Sequence, residues 1–164
     1  MAETSSDWAD EVLESWSALQ PDFDATAYQV TSRIARLALH IARHQEIVFA
    51  GFGLNRGDVG VLSALRIAEN NRLSPTQLFK GLMLSSAGIT SRLDRLEKRG
   101  MVRRERHPND RRGVLVELTG EGRSLLEQAV RANTAAERGL VHGLDAAESE
   151  QLGGLLKKML AALE

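Results

Sequence analysis

The sequence predicts a mainly α fold with a small β wing, and three observations carry that expectation. Apolar residues recur at spacings of three and four along most of the 164 residues, the period of a helix with one buried face. A short capped helix over about 74–81 is followed, after a tight turn, by a second helix over 86–99, which is a helix-turn-helix order. Two β-like segments, 101–107 and 113–118, then flank Pro108-Asn109-Asp110, which is turn chemistry, so a hairpin follows the second helix as its wing.

Residues 7–19 carry Trp8, Val12, Trp16 and Leu19 on one helical stripe, and Pro21 stops that helix. Asp24 caps a longer helix reaching about residue 50, with Val30, Ile34, Leu37, Ile41 and Val48 as its stripe and His44 where another apolar residue falls due. Gly51 and Gly53 break the pattern. The next helix covers 57–70 with Val61, Leu62 and Leu65 inward, and Asn70-Asn71 mark a loop. Ser74 as N-cap, Pro75 at the first helical position and Gln77 as capping-box partner open the short helix, and Leu73 and Leu78 are spaced for a hydrophobic staple. In the second helix Ile89, Leu93 and Leu96 share a face, Gly100 suits the left-handed position after the end, and Met101 can reach back to Leu96. Thr119 caps a long helix with Leu125, Ala129, Ala132, Ala136 and Leu140 on its apolar side. Asp145 and Glu148 form a capping box for the last helix, which carries Leu152, Leu156, Met159 and Leu163. No internal repeat and no long linker interrupts this order, so one domain over 1–164 is expected.

Composition narrows the function. Hydrophobic content of 43% and charged content of 26% fit a soluble globular chain rather than a disordered one. With no cysteine, disulfides, thiolate nucleophiles, Cys-ligated zinc and thiol redox sensing are excluded. No apolar run approaches a membrane span and the acidic N-terminus is unlike a signal peptide, so a cytoplasmic protein without a membrane partner is expected. Neither a P-loop, a GxGxxG, a nucleophile–base pairing nor a metal-ligand cluster stands out, so no catalytic residue, cofactor or metal is expected.

Charge is unevenly placed. The chain has a net charge of −1, yet residues 80–112 hold ten Lys/Arg against four Asp/Glu, a basic island on an acidic background. Such an island is the footprint of nucleic-acid binding, although a solvated charged face has the same composition. With Ile89, Leu93 and Leu96 inward, helical geometry turns Ala87, Gly88, Ser91, Asp94, Arg95 and Lys98 outward. Small residues at the front of that face let a helix approach base edges, and Ser85, Ser86 and Thr90 can donate to phosphates or bases. Ser85 or Ser86 alternatively serves as an N-cap. Arg95 is placed for a guanine or phosphate contact. At the wing, Asp110 can hold one of Arg111 and Arg112 and stiffen the turn, leaving the other for the minor groove.

The run at 84–119, LSSAGITSRLDRLEKRGMVRRERHPNDRRGVLVELT, resembles MarR-family regulators. The shared features are S-x-x-x-T-x-R-x-x-x-L-E, G-[ML]-V-x-R, P-x-D-R-R-G and the closing L-T-x-x-G, and they cover residues 57–130. The resemblance implies a winged helix-turn-helix protein that is an obligate dimer. Dimerisation helices at 7–50 and 120–164 would interlock with those of a second copy. DNA-binding lobes at 55–119 would then sit on the half-sites of a palindromic operator, usually as a repressor. The extra first helix and L-S-P-T-Q-L before L-M-L-S-S resemble the PecS/HucR/TamR branch, whose members respond to urate or related small anions. That branch's ligand positions fall here on Trp16, Arg92 and Arg104, and its acidic position falls on Gly60; Asp58, two residues earlier, is expected to face another side of the helix. An anion such as urate or an aromatic carboxylate is the implied effector. Two other readings of the residues stand beside it: a DNA-binding regulator without a ligand, in which His40 and His44 titrate, bind a metal or merely pack, and a winged helix that binds protein rather than DNA.

Overall fold

The computed structural model describes residues 6–20, 22–82, 86–106 and 113–164, with the backbone alone at Ser86 and Ala87. It forms two compact units, one up to His44 and one from Gln45. Among the described residues no helix is long and apolar enough to cross a membrane.

In the first unit, α1 (Trp8–Leu19) opens on a reciprocal capping box between Asp7 and Asp10, and Gln20 is its C-cap. Pro21, the expected stop, lies outside the described residues. α2 (Ala25–Ala50) starts where the Asp24 Oδ1 accepts the Thr26 and Ala27 N–H groups at 3.1 Å. Arg33 of α2 clasps the front of α1, 2.9 Å from Asp7 and 2.6 Å from Asp10. Its hydrogen bond holds the Asp7 carboxyl below the usual carboxylate range. The Arg36 guanidinium lies 4.8 Å over the Trp8 ring, and Trp16 stacks on Phe23 at 6.2 Å. The apolar stripe of α2 is largely uncovered in a single copy: Val30, Leu37 and Ile41 are all exposed. His40 is exposed and His44 half-buried.

The second unit holds the main core. It contains α3 (Arg56–Ile67), β1 (Arg72–Leu73), α4 (Pro75–Gly81), α5 (Ser86–Lys98), β2 (Val102–Arg106), β3 (Val114–Leu118), α6 (Gly120–Glu137) and α7 (Ala146–Leu160). Leu62, Leu65, Leu78, Ile89, Leu93, Leu96, Val102 and Val116 are fully buried together. The sheet order is β1-β3-β2, antiparallel throughout, with Val102 opposite Leu118 and Leu73 opposite Val116. β1 is not predicted from the sequence, because a two-residue strand has no period to detect. α3 stops at Ile67, three residues before the expected end; a 3-10 turn follows, in which Asn70 and Asn71 take left-handed φ values of 55°. α6 buries Gly122, Leu126, Ala129 and Asn133; of the expected stripe Ala129 is buried and Leu125, Ala132 and Ala136 are half-buried, and the helix ends at Glu137 before Leu140. α7 buries no residue and leaves Leu152, Leu155, Met159 and Leu160 exposed.

The junction between α5, the sheet and α6 explains the L-T-x-x-G run. Gly100 (φ 73°) ends α5 with its N–H on the Glu97 carbonyl, while the Met101 N–H reaches the Leu96 carbonyl at 2.9 Å, the paired bonds of a Schellman turn. Thr119 Oγ1 donates to the Gly100 carbonyl at 2.7 Å and accepts the Gly122 N–H at 3.0 Å. A Cβ on Gly122 would lie 2.1 Å from the Met101 carbonyl oxygen, which is backbone and cannot move aside. Gly122→Ala is therefore expected to lower the unfolding free energy in urea by about 2 kcal/mol. The same substitution at Gly120, where no atom lies within 4 Å of the added Cβ, is expected to change it by less than about 0.5 kcal/mol.

Candidate nucleic-acid interface

Helix α4 begins as its residues dictate: the Ser74 hydroxyl accepts the Gln77 N–H at 3.2 Å, the Gln77 amide oxygen accepts the Ser74 N–H at 2.8 Å, and Pro75 occupies the first turn. α5 packs Ile89, Leu93 and Leu96 inward, each 1% exposed or less. The opposite face therefore turns outward, and Thr90, Ser91, Asp94, Arg95 and Lys98 are all exposed. The front of α5 sits at the N-terminal, positive end of the helix dipole, which favours phosphate.

Asp58 is the least expected residue of the interface. It is 1% exposed, and its Oδ1 takes an ion pair from Arg95 and lies 3.4 Å from Arg92 Nη1. Two paired cations are what a buried carboxylate needs to remain charged. The Asn55 Oδ1 accepts the Asp58 N–H at 2.9 Å as the N-cap of α3 and accepts Arg92 Nη1 at 2.7 Å. Gly57 leaves the space, for a Cβ there would lie 1.9 Å from Arg92 Nη1. Arg99 completes the row by donating to the Gly53 carbonyl at 2.5 Å. Arg92, Arg95 and Arg99 thus tie α5 to the single segment 53–58. Asp58 faces another side of α3 than Gly60: its carboxylate stands against Arg92, which the sequence does not predict, whereas a Cβ at Gly60 would point to Leu82 at 3.6 Å. Asn55 and Asp58 have the spacing of an N-cap and its third helical residue; starting the helix at residue 57 concealed that signal.

The wing strand is bound to the same helix. Arg104 of β2 donates from Nη2 to Asp94 at 2.5 Å and from Nη1 to Glu97 at 2.7 Å, and its N–H reaches Glu97 at 3.0 Å. The Asp94 hydrogen bond, against some loss from burial, raises the Arg104 guanidinium above its ordinary value. Across the sheet, Arg103 pairs with Glu117 at 2.7 Å and Glu105 at 3.0 Å, and Arg72 with Glu117 at 3.1 Å. The Arg103 hydrogen bond is the main cause that holds Glu117 below the usual carboxylate range.

Of the residues singled out for an anionic ligand, Arg92 and Arg104 have different sets of partners, and Trp16, in the first unit, is about half exposed and stacked on Phe23. Ser85, Asp110, Arg111 and Arg112 lie outside the described residues, as does the side chain of Ser86. Residues 52–113 match the model of the MarR family. Over 150 residues the chain is 31% identical to the HTH-type transcriptional regulator PecS of Dickeya dadantii, covering 91% of this chain and 90% of that protein. The chain belongs to the MarR family. It is a DNA-binding transcriptional regulator of the PecS-like kind. Similarity extends to the multiple antibiotic resistance protein MarR of Salmonella typhimurium, 39% identical over 101 residues that cover 61% of this chain and 69% of that one. A mutant MarR from E. coli, solved in complex with operator DNA, superposes with a TM-score of 0.71 at 28% identity, over 94% of this chain and 99% of that one. Within the MarR fold, α4 and α5 are the helix-turn-helix, and β2 and β3 are the strands of the wing.

Proposed function

We propose that two copies of this chain repress transcription by binding a palindromic operator, each laying α5 in the major groove and its wing along the minor groove. The observation that carries this reading is the division of α5 into a buried face of Ile89, Leu93 and Leu96 and an exposed face of short polar residues ending in Arg95 and Lys98. Thr90 and Ser91, with Ser85 and Ser86, contact bases or phosphates. Arg95, held from behind by Asp58, presents its exposed edge to a guanine or a phosphate, and Lys98 meets the backbone. Asp110 stiffens the wing, and Arg111 and Arg112 supply its minor-groove cation. Lobes at 55–119 are carried on dimerisation helices at 7–50 and 120–164. The exposed leucines of α2 and α7 support this, since apolar faces of that extent are covered in a stable protein. The chain acts in the cytoplasm as a binding protein, not as an enzyme.

A small anion such as urate or an aromatic carboxylate relieves the repression by competing with Asp58 for Arg92, and so favours a conformation with lower operator affinity. Titrating operator-bound protein with urate, xanthine and aromatic carboxylates tests this: release by one of them is expected, and retention against all of them sinks the effector part alone. Arg95→Ala and Arg112→Ala are each expected to weaken operator binding by about 2 kcal/mol in an equilibrium titration.

A further inference from the structure

The first turn of α3 is tied on both sides. Asn55 and Asp58 hold α5, as described above; Arg56, between them, turns the other way. Its Nε donates to the Gln45 Oε1 at 2.9 Å, and its N–H lies 3.4 Å from both carboxylate oxygens of Glu46. The Gln45 amide is used at both ends, for its Nε2 donates to Glu137 Oε1 at 3.0 Å. Asn133, 8% exposed, donates from Nδ2 to the same Glu137 oxygen at 2.7 Å. A continuous polar chain therefore runs Asn133–Glu137 on α6, Gln45 at the end of α2, Arg56 on α3, and then, through the backbone of one helical turn, Asn55 and Asp58 to Arg92 and Arg95 on α5.

We infer that Gln45 and Glu137 are positioning residues for operator recognition. They fix the angle of the first turn of α3 against α6, and that turn in turn aims α5. This inference rests on the proposed reading of α5 as the groove-binding helix of a dimer. The physical ground is rigidity. The links among Asn133, Glu137, Gln45 and Arg56 are directed hydrogen bonds of 2.7 to 3.0 Å between side chains that are half-buried or buried, apart from the exposed Arg56, and Gln45 uses both its donor and its acceptor. Without the links, α3 and α5 still fold on their shared core, but their pitch relative to α6 is set by apolar packing, which has no direction, and by the exposed Arg66–Glu127 pair at 3.4 Å, which holds weakly. Because α6 belongs to the helices that carry the two lobes, the loss would be felt as a loosening of the distance between recognition helices.

The test uses the full chain and the duplex recovered by the wild-type protein from a random pool. Affinity is measured for that duplex, for the same duplex with one base pair inserted between half-sites, and for an unrelated duplex. Wild-type protein is expected to lose about tenfold on the insertion. Gln45→Leu and Glu137→Leu are expected to bind the recovered duplex about tenfold more weakly, to tolerate the insertion within about threefold, and to bind the unrelated duplex as the wild type does. Glu137→Gln keeps the accepting oxygen and is expected to restore wild-type discrimination. Arg56→Ala, at an exposed side chain, carries the same expectation should a leucine variant fail to fold. Variants that discriminate as sharply as wild type, with the wild type itself discriminating, overturn this inference and leave the DNA-binding reading intact. A wild-type protein that recovers no palindromic duplex overturns both.

Discussion

Raising monovalent salt from about 50 to 200 mM is expected to weaken operator binding by about three to five orders of magnitude, the loss for six to ten neutralised phosphates. The figure follows from which cations are spent inside the protein. Of the ten Lys/Arg at 80–112, Arg92, Arg99, Arg103 and Arg104 are held by internal carboxylates or a carbonyl, whereas Arg95, paired with Asp58 on one side, keeps an exposed edge for DNA. Lys98 and Arg106 hold no ion pair among the described residues, and the wing adds Arg111 and Arg112, so each copy brings about three to five phosphate contacts. A slope of log affinity against log salt near −6 to −9 is the expected reading in a titration with fixed operator. A slope shallower than about −2 would point to a partner other than DNA.

Asp58→Ala is expected to cost about 3 kcal/mol of unfolding free energy, read as a lower urea midpoint at constant slope. The substitution removes a carboxylate that is 1% exposed, together with half of the α3 capping box, and strands two arginines. The full penalty for breaking a buried pair does not apply, because Arg95 is about half exposed and can turn to water. Asp58→Asn keeps the shape and the capping oxygen but drops the charge, and is expected to fall between wild type and alanine. A loss below about 0.5 kcal/mol for the alanine variant would mean that Asp58 does not hold the two arginines in solution.

Much of the DNA-binding lobe was legible because its rules are local. The capping box at Ser74, the inward row of Ile89, Leu93 and Leu96, and the left-handed Gly100 are each decided by residues within a turn of one another. What stayed hidden is decided at a distance. That Asp58 faces Arg92 and Arg95 depends on the crossing of α3 and α5, 34 to 37 residues apart in the chain. No charge pattern along the sequence names a partner so far away. Asn133 is buried on α6 with its amide hydrogen on Glu137, a position that a list of apolar residues does not contain. Strand β1 exists because β3 offers it an edge. The apolar stripes of α2 and α7 are periodic in the sequence, and a single copy of the chain leaves them outward.

The most direct test of the account is to select bound duplex from a random pool with the full chain at low ionic strength, beside a Ser91→Ala, Lys98→Ala, Arg112→Ala triple variant of unchanged unfolding midpoint. The account predicts that the wild type enriches a palindrome with half-sites about 10 base pairs apart and that the triple variant enriches none. A wild-type pool without a shared site, or a variant that recovers the same palindrome equally well, would contradict it.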